Sequence, residues 1–72
     1  MTGRPVKHSL TLKGHRTSVS LEAEFWEAFQ GLARARGLSV NELAAEVDEG
    51  RRDDVGLASA IRVFVLRALT LR

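Results

Sequence analysis

Arg16, Ser18 and Ser20 alternate along HRTSVSL, residues 15–21. That spacing sends side chains to one face of an extended strand. A guanidinium and two hydroxyls in a row, with no acid among them, suit a polyanion. Arg can present two parallel N–H groups to guanine O6 and N7, worth roughly 1–3 kcal/mol of discrimination, whereas Ser donates or accepts less selectively. The plain alternative is a solvated strand face, where these residue types are ordinary.

The surrounding charge favours the first reading. Net charge is only +2, but residues 1–21 carry Arg4, Lys7, Lys13 and Arg16 and no acid. Residues 22–50 carry seven acids against Arg34 and Arg36, and the last sixteen residues carry Arg62, Arg67 and Arg72 and again no acid. A basic front on a balanced domain points to a polyanionic partner. Arg4, Lys7 and Lys13 are candidates to grip phosphates or to act as a basic arm; the alternative is a solubilising tail. A further candidate is the start of a helix at Ser39, where the free amides of Val40 and Asn41 can hold a backbone phosphate.

Other chemistries find little support. His8 and His15 lie seven residues apart in a chain without cysteine, and structural metal sites usually take four ligands, so no metal or other cofactor is expected. Asp48, Glu49, Asp53 and Asp54 are interrupted by Arg51 and Arg52, as in a solvated loop. Ser39 has no partnered base and is explained by capping. Trp26 and Phe29 could stack on bases, but at helical spacing with Phe25 and Leu32 they read as core. With no glycine-rich phosphate loop and no paired catalytic groups, an enzyme is not expected.

The elements that position these residues follow from periodicity. Ser9-Leu10-Thr11-Leu12 alternates, Lys13-Gly14 breaks the run, and 15–21 alternates again, with Thr17, Val19 and Leu21 on the apolar face. Either Lys13-Gly14 turns a hairpin, a weaker signal than Asn-Gly, or only the second run is a strand and the first is an arm. A first helix is predicted over about 22–36, with a stripe of Phe25, Phe29, Leu32 and Ala33 widened by Trp26, and Gly37 as its left-handed stop. Ser39-Val40-Asn41-Glu42 is a capping box opening a second helix, whose core face is Val40, Leu43, Ala44 and Val47. After a polar loop over 50–56, a third helix is predicted over about 57–71. Its stripe of Leu57, Ile61, Phe64, Val65, Ala68 and Leu69 is extended by Val63 and Leu66, an apolar surface wide enough to need more than one neighbour.

A 72-residue chain is one domain with a small core and no disulfide staple, so oligomerisation is the expected route to stability. A lone strand needs a partner for its backbone, and even a hairpin is marginal by itself in water. Two copies pairing residues 15–21 antiparallel about a two-fold axis would make an isologous ribbon, as wide as strand-reading proteins require for a major groove. The expected organisation is a flexible basic arm over 1–7 and one domain over 8–72. The longest apolar run, Val63-Phe64-Val65-Leu66, is far too short to span a membrane, and no apolar leader is seen, so a soluble cytoplasmic protein is expected.

Strand, helix, the turn Gly37-Leu38-Ser39-Val40-Asn41 and a second helix resemble the ribbon-helix-helix DNA-binding proteins. The longer pattern GHRTSVSLEAEFWEAFQGLARARGLSVNELAAEVD, followed by LASAIRVFVL, is similar to a small bacterial branch of that family, often met in alphaproteobacteria. The resemblance covers nearly everything from Lys7 onward. It implies a mostly helical fold with a short N-terminal β element, an intertwined homodimer with a two-stranded intersubunit ribbon, and DNA-binding transcription regulation, as a repressor or autoregulator. It puts base contacts on Arg16, Ser18 and Ser20 and phosphate anchoring on Ser39, Val40 and Asn41. The third helix departs from the usual pattern. A rival alignment places Ser59-Ala60-Ile61-Arg62 in the family's second helix. A rival function is an antitoxin-like module that docks a second protein on the apolar third helix.

Overall fold

The computed structural model describes residues 3–70. Two strands, β1 (Val6–Leu12) and β2 (His15–Leu21), form an antiparallel hairpin, followed by helices α1 (Ala23–Ala35), α2 (Val40–Gly50) and α3 (Leu57–Thr70). Of the two openings the alternation allowed, the hairpin is the one adopted. Lys13 and Gly14 sit at φ 51° and 84°. Positive φ at both central residues is what a two-residue type I′ turn requires, and its twist matches that of the strands. The turn fixes the register, pairing Leu12 with His15, Leu10 with Thr17, His8 with Val19 and Val6 with Leu21.

Because the period is two, that register sorts the side chains. Leu10, Leu12, Val19 and Leu21 are buried against the helices. Thr17 shares their face but is exposed. Val6 and Lys7, expected in a flexible arm, belong to β1; residues 1 and 2 of that arm lie outside the described residues.

The expected intersubunit pairing is modified in one respect: β2 has its hydrogen-bonded neighbour within the same chain. One edge of β2 is thereby filled by β1, so a second copy can reach only the other.

Phe29, Leu21, Leu43 and Ile61 are fully buried at the centre, each from a different element. α2 packs along β1, while α1 and α3 pack on β2 and on each other. Phe64 of α3 meets Phe29 edge-on at 6.1 Å. The end of α1 follows from Gly37 at φ 71°. Gly37 N–H donates to the Arg34 carbonyl at 3.0 Å and Leu38 N–H to that of Ala33 at 2.9 Å, the paired bonds of a Schellman stop. The Arg62 guanidinium ties α3 to the end of the ribbon, donating to the Glu22 carboxylate at 2.8 and 3.0 Å and to the Ser20 carbonyl at 3.3 Å. Glu22 is held below the usual carboxylate range first by its own backbone N–H and then by Arg62.

The third helix departs from expectation on one side. Ile61 and Val65 are buried, but Val63, Leu66 and Leu69 are 46%, 62% and 48% exposed. Leu69 therefore leaves the predicted core stripe. The predicted helix end at 71 lies outside the described residues.

Candidate nucleic-acid interface

The face of the hairpin turned away from the helices carries three cross-strand pairs: Lys7 opposite Ser20, Ser9 opposite Ser18, and Thr11 opposite Arg16. All six are exposed. Cations stand at diagonal corners with hydroxyls between them, and no carboxylate interrupts the surface. Among the described residues neither Lys7 nor Arg16 forms an ion pair. Both charges are therefore available to a ligand without breaking an internal contact.

The three outward residues of β2 thus share one face, as their alternation predicted. Ser9 and Thr11 were missed. Their signal lay in the alternation of Ser9-Leu10-Thr11-Leu12 and in the two-residue length of Lys13-Gly14, which together determine the register once the hairpin is accepted.

The second candidate region lies beside the first. The Thr11 backbone N–H donates to Asn41 Oδ1 at 3.0 Å, which fastens the start of α2 to the outer edge of β1. That bond also shows which way the edges point. Thr11 N–H turns away from β2, so by the alternation of an antiparallel ladder the outward-facing backbone groups of β2 belong to Arg16, Ser18 and Ser20. Arg62 takes the Ser20 carbonyl; among the described residues the outer-edge groups of Arg16 and Ser18 have no partner. An open strand edge is a template for another strand.

At the start of α2 the capping box is complete. Ser39 Oγ accepts from Glu42 N–H at 3.0 Å, and the Glu42 carboxylate accepts from Ser39 N–H at 2.8 Å. These bonds, led by the one from the Ser39 backbone, hold the Glu42 carboxyl below its usual range. The amides of Val40 and Asn41 remain for an anion, although the Glu42 charge at the same helix end lessens the field there. Lys13, at the hairpin tip, pairs with Glu49 of α2. An exposed pair of this kind is worth about 0–1 kcal/mol, so it opens at small cost. Arg4 is exposed just before β1.

The cap makes a stability prediction. A carboxylate with a lowered pKa in the folded state contributes stability that is present above its ordinary value near 4.5 and lost as pH falls below it. Thermal melts should therefore decline below that pH, and Glu42→Gln should flatten part of the decline. Ser39→Ala should cost about 1 kcal/mol at neutral pH. A melting temperature for Ser39→Ala equal to that of the parent chain would show that the cap carries no net stability.

His8, on the helix-facing side, lies flat on Trp26, with centroids 3.9 Å apart and planes 6° from parallel. Trp26 is thus committed to the underside of the ribbon rather than offered to bases. Among the described residues no helix is long and apolar enough to cross a membrane.

The family model of the ribbon-helix-helix domain matches residues 5–69, which takes in both strands and nearly all of the three helices. No curated protein and no solved structure matches the chain.

Proposed function

The chain belongs to the ribbon-helix-helix domain family, and from that premise we propose that it is a homodimeric, sequence-specific duplex-DNA-binding protein of the cytoplasm, acting as a transcriptional repressor or autoregulator. The family is in general one of DNA-binding transcription regulators that form dimers. The observation that carries the reading is the outer face of the ribbon: six exposed polar residues in three cross-strand pairs, none of them acidic and two of them cations without an ion pair among the described residues.

The second copy adds at the open outer edge of β2, across residues 16–18. The strand order becomes β1-β2-β2-β1, and Arg16, Ser18 and Ser20 of both copies come to the middle of the sheet. The central pair enters the major groove and reads base edges, Arg16 most selectively. The flanking strands lie towards the groove walls, where Lys7 and Lys13 meet phosphates. Ser39 and the amides of Val40 and Asn41, joined to β1 through Thr11, anchor a phosphate on the same side. Phosphate contacts of this kind set position, and base contacts set sequence.

Selection from random-sequence duplexes at two salt concentrations tests the proposal, run beside Arg16→Ala. The expected result is an enriched two-fold-symmetric motif that Arg16→Ala loses while its melting temperature is unchanged. Weak binding that is salt-sensitive but enriches no motif would leave the ribbon without a role in sequence readout.

A second reading is supported by α3. Its exposed Val63, Leu66 and Leu69 form a side that the single chain does not cover, and an exposed apolar patch marks an interaction surface. On this reading α3 docks another protein, with or without DNA on the opposite face.

A further inference from the structure

Away from the ribbon, the C-terminal ends of α1 and α2 and the middle of α3 enclose an open groove of about 710 Å³. Its floor is apolar, with Val47, Val55 and Phe64 among the lining residues, and its rim carries Arg36, Arg51, Arg52 and Arg67 against a single acid, Glu46. Arg51 and Arg52 already pair with Asp48 and Asp54. Arg36 and Arg67 have no acidic partner among the described residues, and the Arg36 guanidinium lies 4.9 Å above the Phe64 ring. Val63 lines the groove and is also half-exposed; Leu66, one turn on, continues the apolar strip outside it.

We infer that this groove and the adjoining side of α3 dock an acidic amphipathic helix of another protein. The inference rests on the second reading above and not on the DNA reading, since no residue of the outer ribbon face lines the groove. Charge selects the occupant. An apolar floor with unpaired arginines at its rim favours a partner that brings hydrophobic side chains flanked by carboxylates, because opposite charge suppresses wrong partners and fixes register. A second copy does not supply one. The exposed acids of α1 and α2, such as Glu24, Glu27, Glu42 and Glu49, sit on helices that expose no large hydrophobic residue. Pairing the groove with its own copy instead would set Arg36 and Arg67, which have no acidic partner among the described residues, against the same two cations. Nor does the floor suit DNA, whose outer surface is phosphate.

The test uses the full chain, isotope-labelled, with three fluorescent synthetic peptides: Leu and Glu at helical spacing, the same peptide with Gln for Glu, and a scramble of the first that keeps its charge but has no apolar face. The first should bind saturably, shift the amide signals of Val47, Val63, Phe64 and Arg67, and bind about tenfold tighter than the other two. Val63→Asp and Arg67→Glu, both at exposed sites, should each weaken it by a similar factor with melting temperature unchanged. Equal binding of the Gln peptide would overturn acid recognition and leave docking on α3 standing. Equal binding of the scramble, or shifts at Lys7 and Arg16 instead, would reduce the effect to general charge attraction. No binding by any peptide would overturn docking itself, as would concentration-dependent shifts of Val47, Phe64 and Arg67 without peptide, at concentrations where the β2 signals do not change, which would make a second copy the occupant of the groove.

Discussion

Val19→Asp unfolds the chain, whereas Ser18→Asp, one residue away, leaves it folded and abolishes DNA binding. The two differ only in which face of β2 receives the charge. Val19 is 4% exposed and belongs to the core that includes Phe29, Leu43 and Ile61. Losing its burial costs about 1.5–3 kcal/mol, and a carboxylate left unpaired there costs several kcal/mol more. A domain of this length has about 4–10 kcal/mol in total, so little or nothing remains. The nearest base on that face is His8, opposite Val19, and its ring is already laid on Trp26. Ser18 is exposed on the outer face beside Ser9. A carboxylate there is solvated in the free protein and would face phosphates and base edges in the proposed complex. Circular dichroism melts and a duplex-binding titration read the two outcomes. A cooperative melt for Val19→Asp would mean that the helices hold the fold without the ribbon; parental DNA affinity for Ser18→Asp would take the outer face out of the interface.

That contrast also shows what could be read from the sequence and what could not. The side assignments along β2 were legible from alternation alone, since a period of two leaves only one arrangement with Val19 and Leu21 inside. The stop at Gly37 and the start at Ser39 were legible because each is a local motif whose hydrogen bonds are made within a few residues. The partner of β2 was not. Lys13-Gly14 puts a non-glycine residue at positive φ, a conformation that Asn or Gly adopts more readily, so the local signal was weak and tertiary packing under Leu10 and Leu12 decided it. Two further features were illegible for a different reason. The tether from Thr11 to Asn41 and the stack of His8 on Trp26 join residues thirty and eighteen positions apart, and no periodicity reports contacts between elements. The groove between α1, α2 and α3 belongs to the same class. Its four arginines are dispersed from 36 to 67 in the chain and become a rim only when the helix ends converge.

The salt dependence of binding should count the copies on DNA. Removing one cation from a phosphate lowers the slope of log affinity against log salt by about 0.9. Lys7 stands alone at its corner of the outer face, exposed and without an ion pair among the described residues, so Lys7→Ala removes one such cation per copy and disturbs nothing else. A single bound copy then predicts a slope change of about 0.9, and a symmetric dimer about 1.8. Reversing both corner charges, with Lys7→Glu and Arg16→Glu together, carries the larger effect. Taking a guanidinium away from guanine costs roughly 1–3 kcal/mol, and a dimer bears that cost twice, before any repulsion from the new carboxylates. Affinity for the selected duplex should fall by at least about thirtyfold near physiological salt from the guanidinium loss alone, with the melting temperature near that of the parent chain because both positions are solvated. A double reversal that still binds within about tenfold of the parent would move the DNA interface off the ribbon. A slope change of about 0.9 for Lys7→Ala, beside full loss of binding in the double reversal, would keep the ribbon as the reader and place one copy on each site.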